Sequence, residues 1–390
     1  MLVERLQLRD FRNYEAAELD LPPGLSVVAG PNGAGKTNLL EALYFGCTGR
    51  SPRTSNEREL VRRGAGVARV VVHTRDEEAG HRIEVGFEPG EAKVLRVDDN
   101  PVDNLSALAA RPLVSVFLPE RLELVKGAPA ARRAHLDQLV AALWPARADT
   151  RSAYSRALAQ RNALLGRIRA GACGPAALDA WDSELAGHGI RLMADRAEAV
   201  DGLRAPFAGL AERLGLPGAA EIRYRPRSAA DDAGGLAAEL AERRSADLER
   251  GFTAHGPHRD ELQLLLDGVA LRAYGSQGQQ RAALLALLFA ERELLAERRG
   301  RPPLMLLDDV MSELDSARRE LLAGLLRAGG QAVVTATEPE HVPGAGVDEV
   351  IRVTAGSLDA PRVAALAGGL APSATGARDP AASGLAEAPR

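Results

Sequence analysis

Eight consecutive residues, GPNGAGKT from Gly30 to Thr37, carry the strongest chemical signal in the chain. They match GxxxxGK[ST], a loop whose backbone N–H groups cradle phosphates. Gly30, Pro31, Asn32, Gly33, Ala34 and Gly35 form the wrap. Lys36 is placed to neutralise β- and γ-phosphates, and Thr37 to ligate Mg²⁺. Two further groups complete a triphosphate site. Asp308 and Asp309 end the apolar run Leu304–Leu307; the first suits a magnesium ion held through water, the second a role in orienting or deprotonating an attacking water. Ser276, Gly278 and Gln279 lie in SQGQQR, 32 residues before Asp308. A hydroxyl and a glycine at a helix N-terminus make a second phosphate cradle.

These groups need elements to position them. Leu2–Leu8 and Leu25–Ala29 read as strands, bounded by Asn13–Tyr14 and Pro22-Pro23-Gly24. The second runs into the loop, and Leu39, Leu40, Leu43 and Tyr44 then recur at helical spacing. Strand, loop and helix is the context the phosphate loop requires. Residues 67–97 alternate β-formers around charged and Pro-Gly turns, which predicts an antiparallel meander. After Pro119 the chain turns Ala-, Leu- and Arg-rich, with Leu178, Trp181, Leu185 and Leu192 in an apolar stripe. Two antiparallel helices of about 30 residues each would reach roughly 45 Å, a stubby arm. Strand-like sequence returns at Glu221–Tyr224 and Leu262–Leu266, followed by a helix from Gln279, a buried strand at Leu304–Leu307, a further helix and a strand at Ala332–Thr335.

The order of phosphate loop, SQGQ, Asp308-Asp309 and SELD (Ser312–Asp315) resembles ABC-type ATPases, and the resemblance implies an α/β ABC-type P-loop head with a smaller helical second lobe: 1–118 as the N-terminal part of the head, 119–250 as the helical lobe, 251–358 as the C-terminal part, and 359–390 as a disordered tail of Ala, Gly, Pro and Ser. The chain of 390 residues is long for a single core. No apolar run reaches the ~18 residues of a membrane span, and charged residues from Glu4 to Asp10 interrupt any secretory signal, so a cytoplasmic location is expected. Cys47 and Cys173 lie too far apart for a CxxC hook. Net charge is −4, so nucleic-acid binding would need a local basic face.

The motifs LRDFRNY (Leu8–Tyr14), GPNGAGKTNLLEA (Gly30–Ala42), KGAPAARRAHLD (Lys126–Asp137), AQRNALL (Ala159–Leu165), GPHRD (Gly256–Asp260) and GSQGQQR (Gly275–Arg281) resemble, in order and spacing, the RecF family of bacterial recombination mediators. The resemblance implies a head like that of SMC proteins, ATP and Mg²⁺ as cofactors, weak ATPase activity, and an ATP-dependent homodimer with Ser276 and Gly278 of one copy over the nucleotide of the other. It further implies binding to gapped DNA and single-strand/double-strand junctions, and work with RecR and RecO in loading RecA during replication, repair and the SOS response. The segment Pro119-Glu120-Arg121 departs from the family's Pro-Glu-Asp. Thr335 or Thr337 stands where transporter ATPases place a γ-phosphate-sensing histidine, and by resemblance Arg12 and Asn13 approach the nucleotide.

Arg50, Arg53, Arg62 and Arg63 are the candidates for DNA contact; a solvated arginine-rich surface is the alternative. Arg132 and Arg133 serve DNA, RecR or ordinary ion pairs. No aromatic-interleaved stacking platform appears, which argues against sequence-specific single-strand readout and for recognition of backbone and shape. His255 and His258, split by a proline, suggest a structural turn rather than a metal pair. A transporter nucleotide-binding subunit would carry its signature roughly 100 to 120 residues after the phosphate loop by family resemblance, whereas Lys36 and Ser276 are 240 apart. A monomeric P-loop phosphotransferase would need an acceptor pocket and no second cradle.

Overall fold

A computed structural model describes residues 1–105, 111–312, 314–346 and 349–359. The expected disordered tail lies, from residue 360, outside the described residues, as does Glu313 in the segment Ser312–Asp315.

The N-terminal strand Leu2–Phe11 pairs on one side with Tyr14–Asp20 and on the other with Ala68–Arg75. A register shift between Val3 and Arg5 changes the phase of the strand, which is why Val3, Leu6 and Leu8 all point inward. Gly80–Phe87, Val94–Val97 and Asn100–Pro101 continue this antiparallel sheet, the meander that the alternation predicts. A second sheet is ordered Ser357–Asp359, Val350–Thr354, Leu25–Ala29, Ala332–Ala336, Leu304–Leu307, Val114–Phe117. Its strands run parallel except for the first edge pair. The central strands LSVVA, LMLL and AVVTA are buried along their whole length, as strands covered on both faces must be.

One covering layer is the helix Lys36–Thr48, whose Leu39, Leu40, Leu43 and Phe45 fill the space between the two sheets in a cluster with Leu6, Val70, Val28 and Leu306. The opposite face is covered by the helix Gln277–Arg299, which shares the larger core with Val27, Val334 and the end of the long helix Leu178–Arg213.

The helical arm differs in proportion from the sequence-based expectation of two equal helices. Asp149–Arg169 has 21 residues and Leu178–Arg213 has 36, or ~32 and ~54 Å at 1.5 Å per residue. Leu164 and Leu165 meet Leu178, while Tyr154 and Ala157 meet Leu185, Ala186 and Leu192, so the two run antiparallel. The inequality has a packing cause. The long helix first completes the arm, and then Ala199, Val200, Leu203, Phe207 and Leu210 enter the main core. It leads to the strand Ala220–Arg225, which pairs antiparallel with Glu261–Leu266. This small sheet joins residues on both sides of position 250. Among the described residues no helix is long and apolar enough to cross a membrane.

Candidate nucleotide site

The strand Leu25–Ala29 ends at the loop and the helix Lys36–Thr48 begins at its far side, with Gly35 as N-cap at φ +116°. A Cβ on Gly35 would lie 2.5 Å from Asn13 Nδ2 and 3.0 Å from Tyr14 Oη, so both the backbone angle and the close approach demand glycine. Those neighbours hold the loop from outside. Asn13 Nδ2 donates to Ala34 O at 3.1 Å, Tyr14 Oη to Gly35 O at 3.0 Å, and Gly356 N to Ala34 O at 2.9 Å. Burial pushes the Tyr14 phenol up, which keeps its proton available for donation. The first N–H groups of the helix have no intrahelical acceptor and point toward the loop's hollow, a built-in anion site.

Lys36 is 8% exposed, and its Nζ donates to Gly30 O at 2.7 Å and Pro31 O at 3.0 Å. The cation is thus parked on neutral carbonyls of its own loop. Thr37 Oγ1 donates to Asp308 Oδ2 at 2.8 Å. The two oxygens that the sequence assigns to Mg²⁺ converge from positions 271 residues apart. This follows from strand order, since Leu304–Leu307 is separated from Leu25–Ala29 by one strand only, Ala332–Ala336. That intervening strand contributes Thr335. Its hydroxyl donates to Asp308 Oδ1 at 2.7 Å and accepts the Asp309 N–H at 2.8 Å. Burial raises the Asp308 pKa, and the Thr335 and Thr37 hydroxyls oppose that rise. Asp309 sits at φ +46°, a conformation that costs a non-glycine residue energy and that the Thr335 hydrogen bond holds in place. Thr337 instead contacts His341 Nδ1 at 3.2 Å.

Glu41, on the loop-side face of the same helix, is fully buried. It accepts a fork from Arg12 (2.8 and 2.7 Å), Ser51 Oγ at 2.6 Å and Arg53 Nη1 at 3.2 Å. Arg12 is therefore held on Glu41 of the loop helix, and Asn13 braces the loop itself. The four arginines proposed for DNA differ in how they are held. Arg53 bonds Glu41 and Asn38 and lies 3.6 Å from Glu120, which places it within the surroundings of the nucleotide site. Arg62 pairs with Asp10 at 2.7 Å. Arg50 and Arg63 are exposed.

Ser276 caps the helix Gln277–Arg299 in a reciprocal box with Gln279. The Ser276 hydroxyl accepts the Gln279 N–H at 3.2 Å and Gln279 Oε1 accepts the Ser276 N–H at 2.8 Å. Gly278 shares a cleft of about 180 Å³ with Asp308, Asp309, Pro119 and Arg318, and Ser276 lines a second hollow with Gly215 and Pro217 at the end of the long helix. Among the described residues no hydrogen bond joins this turn to Gly30–Thr37. His255 and His258 diverge: His255 Nε2 meets Glu239 at 2.5 Å, and His258 meets Tyr154 Oη at 2.7 Å and Thr253 O at 2.9 Å. Arg121, where the family has an acid, reaches His135 Nδ1 at 3.4 Å, and His135 in turn meets Glu291 at 2.5 Å.

Sequence reasoning missed Tyr14 and Glu41 as supports of the loop. The signal for Glu41 was a charge in the otherwise apolar run LLEALYF, and for the bridging role of Thr335 a hydroxyl in the buried strand AVVTA.

A phosphate loop on one strand, an acidic pair on the next strand but one, and an antiparallel sheet laid over the loop helix define the head of an ABC-type P-loop ATPase. Residues 2–358 match the family described as the RecF/RecN/SMC N terminal domain. The DNA replication and repair protein RecF of Streptomyces avermitilis is 38% identical over 373 residues, covering 92% of this chain and 100% of that protein. The same-named protein of Kineococcus radiotolerans is 38% identical over 373 residues, covering 88% and 95%. A solved structure of the recombination mediator protein RecF with ATP, in the RecFOR pathway, superposes with a TM-score of 0.83 at 29% identity, over 92% of this chain and 96% of that one. The chain belongs to the RecF family, whose named members act in DNA replication and repair.

Proposed function

We propose that the protein is an ATP-gated DNA clamp and recombination mediator. The observation that carries this reading is the separation of two phosphate cradles. Lys36, Thr37 and Asp308 converge in one place, whereas the Ser276 turn is closed on itself in a capping box and, among the described residues, makes no hydrogen bond to Gly30–Thr37, meeting Asp308 and Asp309 only across the cleft that Gly278 lines. A second cradle that is not bonded to its own loop is available to a neighbouring copy.

On nucleotide binding, Lys36 exchanges the carbonyls of Gly30 and Pro31 for β- and γ-phosphate oxygens, and the N–H groups of the loop and first helical turn take the remaining oxygens. The neutral acceptors make that exchange cheap, because an anion is a better partner for an ammonium than an amide oxygen. Thr37 and Asp308 would hold Mg²⁺, which would supply neutralisation of phosphate charge when bound. Thr335 orients Asp308 while also holding the Asp309 backbone, so Asp309 presents its carboxylate to the attacking water. Its short side chain makes turnover slow. Ser276 and Gly278 of a second copy close over the γ-phosphate, and the closed dimer retains gapped DNA or a single-strand/double-strand junction until hydrolysis opens it. Within the RecFOR pathway of its relatives, this clamp cooperates with RecR and RecO in loading RecA.

Ser276→Arg is expected to keep ATP affinity while abolishing ATP-dependent dimerisation in sedimentation velocity. A variant that still dimerises with ATP and gapped DNA overturns the trans-capping mechanism.

A further inference from the structure

The folded chain assembles what the linear sequence lacks, an aromatic ring set among arginines. Phe252 is 42% exposed, whereas the other six phenylalanines are buried. The Arg259 guanidinium lies over the Phe252 ring, 5.5 Å from its centroid. Gly251, at φ +81°, leaves space that a Cβ would fill at 2.4 Å from Arg169 Nη1, so a second guanidinium rests against the backbone just before the ring. Arg169, Arg250 and Arg259 are all exposed.

His258, next to Arg259 in the chain, lines a groove of about 220 Å³ with Arg133, Arg151, Arg196, Tyr154 and Asp137, whose carboxylate pairs with both Arg151 and Arg196. Arg133 donates to the main-chain oxygen of Asp260 at 2.9 Å. Its proton is held less tightly than usual, through burial and then the nearby charges of Arg196 and Arg259. The surrounding acids are already engaged. Asp137 and Asp260 take Arg196, Asp247 takes Arg161, and Glu261 takes Arg132; Glu249, beside Arg250, is exposed. With Arg151 and Arg196 compensated by Asp137 and Asp260, the cations here that form no salt bridge among the described residues are Arg133, Arg169, Arg250 and Arg259, and gathering these is unfavourable unless an anion accepts them.

We propose that this face of the arm, centred on Phe252, Arg259 and Arg169, holds the single-stranded portion of a DNA junction, with an unpaired base on the free side of the Phe252 ring and phosphates on the arginines. Duplex DNA does not satisfy the ring, because its bases are already stacked on one another; an unstacked base does. The inference rests on the reading of the protein as a DNA clamp and names the part of the molecule that distinguishes a junction from a plain duplex.

The test is binding of the ATP-loaded full chain to gapped and to blunt duplex DNA across a salt titration, with thermal melting as a control for folding. Phe252→Ala is expected to weaken binding to gapped DNA by roughly 5- to 150-fold, the range for loss of one base–aromatic stack, and to leave blunt-duplex binding within about twofold. Phe252→Trp restores it. Arg169→Gln and Arg259→Gln each flatten the salt slope on gapped DNA by about 0.7. Phe252→Ala binding gapped DNA like the parent, or losing both DNAs equally, overturns the proposal while leaving the clamp in place. The same holds if the variant keeps all DNA binding and loses only a protein partner. A parent protein that binds neither DNA overturns the clamp and this inference with it.

Discussion

Lys36 in the phosphate loop and Arg161 in the helical arm are both buried cations, 8% and 0% exposed, yet they are held in opposite ways. Lys36 bonds the carbonyls of Gly30 and Pro31, six and five residues back. Arg161 bonds Asp182 at 2.6 Å, Asp247 at 2.8 Å and Thr253 at 2.6 Å, from 21 to 92 residues away. The first arrangement is local and built on neutral acceptors, so an incoming anion displaces it. The second is long-range and charge-compensated, so nothing from solvent competes. A similar clamp surrounds Arg196, which takes both oxygens of Asp137 and reaches Asp260 and Pro257 O. One region is poised for exchange, the other for permanence.

Breaking the permanent clamp has the largest expected effect. Arg161→Met leaves Asp182 and Asp247 buried with one partner fewer and should cost roughly 3–5 kcal/mol in urea unfolding, with ATP affinity unchanged in whatever fraction stays folded. If ATP affinity fell in step with stability, the two regions would not be independent.

Lys36→Met reverses the pattern. ATP affinity should fall by about 100-fold or more, as expected when a charge-assisted phosphate contact is lost. The melting temperature without nucleotide should stay near that of the parent, since only two neutral carbonyls lose a donor. A large drop in melting temperature would show that the lysine is structural after all.

Where His258 packs on Tyr154 of the arm, stability depends on acid. Burial lowers the His258 pKa from 6.5 to about 4, so between these values the unfolded chain binds a proton that the folded one refuses. The contribution is complete above pH 6.5 and is lost as pH falls toward 4, by about 2 kcal/mol after allowance for partial solvent contact. His258→Gln should flatten the stability profile in that window; a parallel profile would remove His258 as its cause.

The smallest effect should come from Arg53→Gln, by less than about 1 kcal/mol in stability, because Glu41 keeps the Arg12 fork. Its sharper use lies in function. If Arg53 belongs to the nucleotide surroundings, the variant changes ATP affinity or hydrolysis while the salt slope for duplex DNA stays fixed. A slope reduced by about 0.9 would return Arg53 to the DNA-contacting set.

What was legible in advance shares one property. GPNGAGKT, the capped turn at Ser276 and the apolar strand before Asp308 act through backbone geometry within a few residues, and residue type at fixed spacing specifies that geometry. The antiparallel meander was equally readable, since alternation with turn residues dictates pairing of neighbours in the chain. The helical arm was recognised by its apolar stripe, but its proportions were not, because the second half of Leu178–Arg213 is held by the main core and no periodicity within the helix says which core it joins.

The amino-acid order by itself determined that a glycine-rich loop of phosphate-binding type joins a strand to a helix, which residues form it, and where its helix begins. Tertiary structure alone decided that Thr37 and Thr335 meet on Asp308, that Arg53 answers Glu41 across the loop helix, and that Phe252 emerges among arginines from separate segments. The physical reason is range. Local dihedral and hydrogen-bond preferences are written in adjacent residues, whereas a side-chain contact spanning tens to hundreds of positions is set only when sheets and helices pack and choose which of many chemically equivalent charges become neighbours.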